Sequence, residues 1–258
     1  MYDLYFHKSP NTYKISMFFE EAGVQYRTHV VHVGAGEQFT PEFVAISPNS
    51  KVPVIRDPEP LGGGEPILVF ESGAILLYLA EKLDVMIPHD AHRRAEVLKW
   101  LFWQAASFGP MMGQCAHFNM FSPETTYAHA RYSREARRLY SVLDQRLASH
   151  EFVGGSEYSI ADIACYPWTE ERPRVCAGLD SIDEYPNIAR WSAAVMARPA
   201  TQRGYQRLRE DEEAGASLEE FAMNMFGHSP EQARRSAESA RATLERVALQ
   251  FDPDAGAA

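Results

Sequence analysis

A proline stands in the middle of a strand-like run, Ser50-Lys51-Val52-Pro53-Val54-Ile55. Lacking an N–H and fixed in φ, it confines that run to a sheet edge or a special bend. The signals around it are equally restrictive. Tyr2-Asp3-Leu4-Tyr5-Phe6 predicts a short strand, and Ser9-Pro10-Asn11 is turn chemistry. Ile15, Phe18, Phe19 and Ala22 recur at helical spacing between Lys14 and Ala22, and Gly23 suits a C-cap. Tyr26 to Val33 predicts a second strand, Gly62-Gly63-Gly64 a turn, and Ile67-Leu68-Val69-Phe70 a fourth strand. Glu71-Ser72-Gly73 then opens a helix through Ile75, Leu76, Leu79 and Ala80. The order is βαβ, a connection, then ββα, which implies a parallel pair followed by a hairpin.

Residues 1–87 therefore have the pattern of an α/β thioredoxin-like domain. Residues 92–204 predict an all-α domain. Val97, Leu98, Leu101, Phe102 and Ala105 have core-facing spacing, as do Leu139, Val142, Leu143 and Leu147 in a helix over about 127–148. Ser159-Ile160-Ala161-Asp162 is a capping box, and a helix over about 187–197 precedes Arg198-Pro199. Residues 205–258 predict a helical C-terminal extension. Ser217-x-x-Glu220 and Ser229-Pro230-x-Gln232 are further capping boxes. Ala233, Ala237, Ala240, Leu244, Val247 and Phe251 form a stripe that needs a partner surface.

The chain carries 35 acidic and 25 basic residues, a formal charge of −10. That argues against broad nucleic-acid binding and against anionic membrane surfaces, both of which need a positive face. Residues 206–258 alone hold 11 acidic and 6 basic residues, so half of the excess lies in a fifth of the chain. No basic-then-apolar leader opens the sequence, and no run of about 18 apolar residues interrupts it. A cytoplasmic location is expected. Cys115, Cys165 and Cys176 are an odd number without CxxC spacing, so neither a disulfide framework nor a metal site is expected.

The chemistry concentrates in the first domain. Ser9 and Asn11 are hydrogen-bond donors at a helix N-terminus, where the dipole favours an anion such as a thiolate. A cis Val52–Pro53 bond would present the main chain of Val52 to an extended peptide. Ser72 and the free N–H groups of a helix start suit a carboxylate, and Glu71 suits an amine. Together they fit the end of an α-amino acid. Gln38, after Gly34-Ala35-Gly36-Glu37, can donate to a second carboxylate. Taken singly, each also reads as a helix cap, an edge proline or a loop glutamine.

Their order within one thioredoxin-like pattern resembles the glutathione-binding half of the cytosolic glutathione transferases. Glu71-Ser72-Gly73-Ala74-Ile75-Leu76-Leu77-Tyr78-Leu79 resembles the γ-glutamyl-binding helix start of that superfamily. Ser159-Ile160-Ala161-Asp162 resembles its helical-domain capping box, which acts in folding. Several segments are similar to the Nu class of bacterial transferases, a class related to the yeast nitrogen-regulator proteins. They are Pro48-Asn49-x-Lys51-Val52-Pro53, Trp100-Leu101-Phe102-Trp103-Gln104, Gly109-Pro110-Met111 and Gly113-Gln114-x-x-His117-Phe118. The resemblance covers about residues 1–204. Members of that class bind two glutathiones or one glutathione disulfide and reduce disulfides; some relatives cleave aryl ethers.

The resemblance implies a glutathione transferase fold, a homodimer, glutathione as cosubstrate and no metal. Asn11 would contact the glutathione sulfur, with Ser9 beside it where family members often carry threonine. Gln38 would hold the glycyl end, and Val52, ahead of Pro53, would pair with the cysteinyl backbone. Glu71 and Ser72 would hold the γ-glutamyl end. Arg131 would reach a glutathione across the dimer. Phe108, Met111, Met112, Phe118 and Tyr166 are candidates for the acceptor pocket, Tyr166 standing where the resemblance implies a tryptophan. The tyrosine activator of other transferase classes has no counterpart here, since positions 7–9 are His7, Lys8 and Ser9. The expected chemistry is reduction of a small-molecule disulfide. Conjugation or aryl-ether cleavage of an aromatic electrophile is the enzymatic alternative, and a glutathione-binding regulatory module the non-enzymatic one.

Overall fold

The computed structural model describes residues 1–122, 124–170, 184–210 and 216–249. Strand β1 (Tyr2–Phe6) buries Leu4 and Phe6 completely and lies parallel to β2 (Tyr26–Val30), with helix α1 (Pro10–Ala22) as the crossover. Helix α1 starts at Pro10 rather than Lys14, because proline suits the first helical turn. It ends on Gly23, whose φ of 64° is the left-handed C-cap conformation. Strand β2 stops at Val30, and Val33–Ala35 forms a 3-10 turn instead of continuing the strand. A short α2 (Pro41–Ile46) is N-capped by Thr40.

Strands β3 (Val54–Asp57) and β4 (Ile67–Phe70) form the expected hairpin, and the sheet order is β2-β1-β3-β4. β3 is therefore an interior strand, which corrects the edge alternative. It begins one residue after the proline, because Pro53 has no N–H to give to a ladder. The Val52–Pro53 peptide bond is cis. Helix α3 (Ser72–Leu83) closes the domain.

All the named elements in the described residues of the second domain are helices. Helix α4 (Ala91–Trp103) passes through a π turn at Gln104–Phe108 into α5 (Gly109–Phe121). Then come α6 (Thr126–Ala148), α7 (Ile160–Cys165), α8 (Pro167–Glu170), α9 (Pro186–Met196) and α10 (Pro199–Glu210). One apolar core joins both domains, from Leu4, Phe18 and Leu76 to Leu139, Ile160 and Trp191. Helices α1 and α10 meet closely at Gly204, where a Cβ would come within 2.9 Å of the Met17 nitrogen. Arg198 pairs with Glu21 at 2.6 Å and Arg203 with Glu20 at 2.8 Å along the same seam.

Two helices follow, α11 (Leu218–Phe226) and α12 (Pro230–Leu249), each opened by its capping box. Ala233, Ala237 and Ala240 are fully buried, and small side chains let α12 lie close to α5. Ser236 Oγ donates to the Phe121 carbonyl at 2.9 Å. Leu244 is 44% exposed, so the packed stripe stops short of it. The Val247 side chain and Phe251 lie outside the described residues. Among the described residues no helix is long and apolar enough to cross a membrane.

Candidate functional site

The sheet register gathers the predicted residues at one end. Tyr5 of β1 pairs with Val54 of β3, and Val54 pairs with Phe70 of β4. So the segment leaving β1 (Ser9 to Asn11), the segment entering β3 (Val52-Pro53) and the segment leaving β4 (Glu71-Ser72) emerge side by side. β2 ends level with Phe6 and leads to Gln38 at the same edge. Antiparallel reversal at β3 brings them together, although 60 or more residues separate the extremes.

Asn11 is half-buried at the start of α1. Its Oδ1 accepts a hydrogen bond from Trp168 Nε1 at 3.2 Å. That bond fixes the amide and leaves Nδ2 as its donor. Trp168 is absent from the sequence-based site, since only tertiary packing carries α8 to α1. It lies against Gly109 and Gly113 of α5. Ser9 stands differently. Thr12 Oγ1 donates to the His7 carbonyl at 2.9 Å, so at the 3.0 Å contact between hydroxyls Ser9 is the donor and Thr12 the acceptor. The single Ser9 proton is already engaged, and Ser9 must turn away from Thr12 to reach a ligand.

At the start of α3, Glu71 occupies the N-cap with φ 69°, outside the usual region for a residue with a Cβ. Its carboxylate accepts from Asn49 Nδ2 at 3.2 Å, which ties the loop before Pro53 to α3. Ser72, the first helical residue, is mostly buried and its Oγ accepts from Lys14 Nζ at 3.1 Å. Lys14 is a second residue absent from the sequence-based site; its helical position marks it only as a core-facing residue of α1. The backbone of Val52 precedes both strand ladders, whose registers begin at Val54.

Gln38 is 1% exposed and lies beneath α11. Its Nε2 donates to Met225 Sδ at 3.1 Å, and its Oε1 is buried without a partner. Asn224 Nδ2 donates to the Gly34 carbonyl at 2.7 Å, fastening α11 to the same loop. An aromatic cluster of His117, Phe121, Phe221 and Phe226 joins α11 to α5 and borders a cavity of about 470 Å³.

The candidate acceptor residues divide. Phe108, Met112 and Tyr166 are at most 1% exposed and belong to the core. Phe108 stacks on Trp103, and Tyr166 meets Trp191 and Tyr205 edge-on. They shape the helical domain from within and do not present an open surface. Phe118 is half-buried and stacks on Tyr132. Met111 and the exposed Arg131 line a cavity of about 600 Å³ on the α5–α6 face, with Tyr127 and Arg134. Both described cysteines, Cys115 and Cys165, are buried. Burial pushes the Cys165 thiol far above its ordinary range, aided by Asp162 and opposed by Lys14. Cys176 lies outside the described residues. Among the described residues no group of His, Cys, Asp and Glu could hold a metal ion.

The arrangement offers an anchored amide donor at a helix N-terminus, an uncapped second helix start with a hydroxyl, and an unpaired backbone segment between them. Comparisons with known proteins place it. The patterns of the glutathione S-transferase N-terminal and C-terminal domains match residues 8–82 and 108–199. Disulfide-bond oxidoreductase YfcG of Escherichia coli is 50% identical over 202 residues, covering 78% of this chain and 93% of its own. A glutathione transferase family member from Pseudomonas fluorescens, solved with two glutathiones bound, superposes with a TM-score of 0.74 at 39% identity. That match covers 79% of this chain and 92% of the other. A Pseudomonas putida glutathione transferase with one glutathione disulfide per subunit gives 0.74 at 37% identity over 80% of this chain and 90% of the other. With both domain patterns matched in order on a thioredoxin-like sheet and its helical partner, the chain belongs to the glutathione S-transferase family.

Proposed function

We propose that this protein is a glutathione-dependent disulfide-bond reductase of the Nu-class type, a homodimer working in the cytoplasm. Residues 1–87, 92–204 and 205–258 serve as its glutathione-binding domain, helical domain and extension. The observation that carries this reading is the Asn11 amide held by Trp168 with its donor end free. It stands where a glutathione thiolate needs stabilisation, and the two described protein thiols are buried away from solvent. The disulfide-bond oxidoreductase relative and the neighbours holding two glutathiones or glutathione disulfide support it.

In this scheme Asn11 Nδ2 donates to the sulfur of glutathione, with Ser9 as a second donor once it leaves Thr12. Val52 pairs with the cysteinyl backbone beside Pro53, Glu71 and Ser72 hold the γ-glutamyl end, and Gln38 the glycyl end. Lowering a thiol pKa of about 8.5 by two units needs roughly 2.7 kcal/mol of selective stabilisation. One or two hydrogen bonds to a charged sulfur, about 1.5–3 kcal/mol each, supply it. The thiolate attacks one sulfur of the substrate disulfide, forming a mixed disulfide and releasing a thiolate that takes a proton from solvent. A second glutathione thiolate, reached by Arg131 from the other subunit, attacks the glutathione sulfur of the mixed disulfide. Glutathione disulfide forms and the second substrate thiol leaves. The substrate disulfide is the oxidant, so no metal or redox cofactor enters.

The aromatic cavity between α5 and α11 favours a second reading, in which an aromatic electrophile is the acceptor of the glutathione sulfur. Parallel assays of bis(2-hydroxyethyl) disulfide and an aryl ether distinguish the two. Replacing Cys115, Cys165 and Cys176 together should leave most disulfide reduction intact. A folded cysteine-free protein without turnover would mean that a protein thiol carries the reaction. The cover over Gln38 gives a further expectation. Met225→Ala frees the Gln38 amide for a ligand carboxylate, and glutathione should bind about two- to fivefold more tightly, one weak hydrogen bond's worth. Unchanged or weaker binding, read by calorimetry, would separate Gln38 from the glycyl end.

A further inference from the structure

Helix α1 turns Ile15, Met17, Phe18 and Phe19 into the core, and with them it buries a lysine: Lys14 is 1% exposed. Its Nζ donates to Ser72 Oγ at 3.1 Å and to Gln104 Oε1 at 2.7 Å. Both partners are neutral. Among the described residues this buried group has no bonded carboxylate, an expensive state for an ammonium ion. Burial accordingly pulls Lys14 down from its ordinary 10.5 to about 7, with Cys165 and Glu71 opposing. Glu71, at the N-cap of α3, gives its carboxylate to Asn49 instead. Cys165, from α7, is kept as a thiol by burial. From α10 Tyr205 stacks on Tyr13, and from α8 Trp168 bonds Asn11.

The surroundings are built to keep the lysine there. Gln104 is the first residue of the π turn between α4 and α5. A Cβ at Gly109 would come within 2.6 Å of Gln104 Nε2, so glycine at that position makes room for the amide. On the other side, a hydroxyl has one proton. With Lys14 donating to its oxygen, Ser72 directs its own proton away from Lys14. Ser72 opens α3, a helix of 12 residues with no side-chain cap on its N-terminal N–H groups, and such a terminus favours a carboxylate.

We infer that Lys14 is a positioning residue of the glutathione site: it holds Ser72 as a donor, and the α-carboxylate of the γ-glutamyl end is its missing counter-charge. The inference rests on the proposed role of Ser72 in binding that end. It follows that ligand binding and protonation of Lys14 favour each other. The bound carboxylate raises the proton affinity of Lys14 above its free value. Affinity is then greatest below pH 7 and declines as pH rises through the bound-state value. Near pH 7 the free site is only partly protonated, so binding takes up a fraction of a proton per site.

S-methylglutathione is the probe, because it has no thiol proton to release. Calorimetric titration at pH 7 in two buffers of different ionisation enthalpy reads the protons taken up. The wild type should show uptake, and Lys14→Met none. The ratio of the two dissociation constants should change about tenfold between pH 9 and pH 6 for each pKa unit by which the ligand raises Lys14. The ligand's own amine titrates equally in both proteins and cancels in the ratio. Lys14→Met should melt no lower than the wild type at pH 6, since it removes a buried charge; a lysine needed only for folding would behave oppositely. Binding without uptake in the wild type, or equal uptake in the variant, overturns the inference and leaves the glutathione reading standing. No binding of S-methylglutathione to the wild type overturns both. Should Lys14→Met fail to fold, uptake by the wild type and its loss in Ser72→Ala decide the matter.

Discussion

Replacing Asn11 by alanine is expected to lower turnover in glutathione-dependent disulfide reduction about ten- to a hundredfold. The size follows from one hydrogen bond to a charged sulfur, roughly 1.5–3 kcal/mol of selective stabilisation. Its effect on kcat should exceed its effect on glutathione affinity, because the contacts proposed for Val52, Gln38, Glu71 and Ser72 are left in place. Two further variants test the geometry. Trp168→Phe keeps an aromatic ring at this position and removes the indole N–H that bonds Asn11 Oδ1. The amide then reorients, and turnover should fall by less than in Asn11→Ala. Ser9→Ala should cost least, since the Ser9 proton is already committed to Thr12. Measurement is of kcat and KM with glutathione and bis(2-hydroxyethyl) disulfide, together with the thiolate absorbance of bound glutathione. Full activity of Asn11→Ala, or a Ser9→Ala defect larger than that of Asn11→Ala, would refute the assignment of roles.

Asp162→Ala should be the most destabilising single change within the helical domain, by about 3–5 kcal/mol. The carboxylate is fully buried and accepts from Val153 N at 2.7 Å, Ser159 N at 3.0 Å, Ser159 Oγ at 3.0 Å and Trp191 Nε1 at 2.9 Å. Alanine leaves these donors buried without an acceptor, the costly side of hydrogen-bond loss. For a chain of this size the melting temperature should drop by roughly 10 °C. The folded fraction should keep its turnover, because Asp162 touches none of the proposed glutathione contacts. Calorimetry and activity below the transition check both halves. The same group gives a pH signature. Burial raises its pKa from 3.8 to about 6, against the pull of the four donors. The folded state therefore holds its proton more tightly than the unfolded one. This contribution to stability is complete below about pH 4 and is lost as pH rises through about 6. Asp162→Ala should lack that component. A variant that melts within 1–2 °C of the wild type would show that the network does not anchor the domain, since each kcal/mol corresponds to roughly 2–4 °C.

Much of the fold was legible because it rests on local rules. Gly23 caps α1 with the positive φ that glycine adopts freely. Ser159 and Asp162 form both halves of the capping box that their spacing announces. The parallel and antiparallel strand pairs follow from the lengths of their connections. Strand ends were less legible. A β-branched run such as Val30, Val31, Val33 signals a strand until the sheet edge is reached, and the sheet edge is a tertiary fact. The acceptor residues show the same limit. Phe108, Met112 and Tyr166 look alike in sequence to Met111 and Phe118, but only burial separates core from surface.

The sequence by itself determined which chemistry was at hand: donors at the start of α1, a proline before β3, and a carboxylate-hydroxyl pair at the start of α3. These positions answer to backbone dihedrals and helix termini, which are set within a few residues. Tertiary structure alone decided how those groups are tuned. Trp168 reaches Asn11 across 157 positions, Gln104 reaches Lys14 across 90, and Met225 covers Gln38 from 187 away. No periodicity encodes such partners, because each is chosen by how α8, the π turn and α11 pack on the thioredoxin-like sheet. That packing lets a buried lysine stand behind Ser72, and it assigns the free proton donor to Asn11 rather than to Ser9.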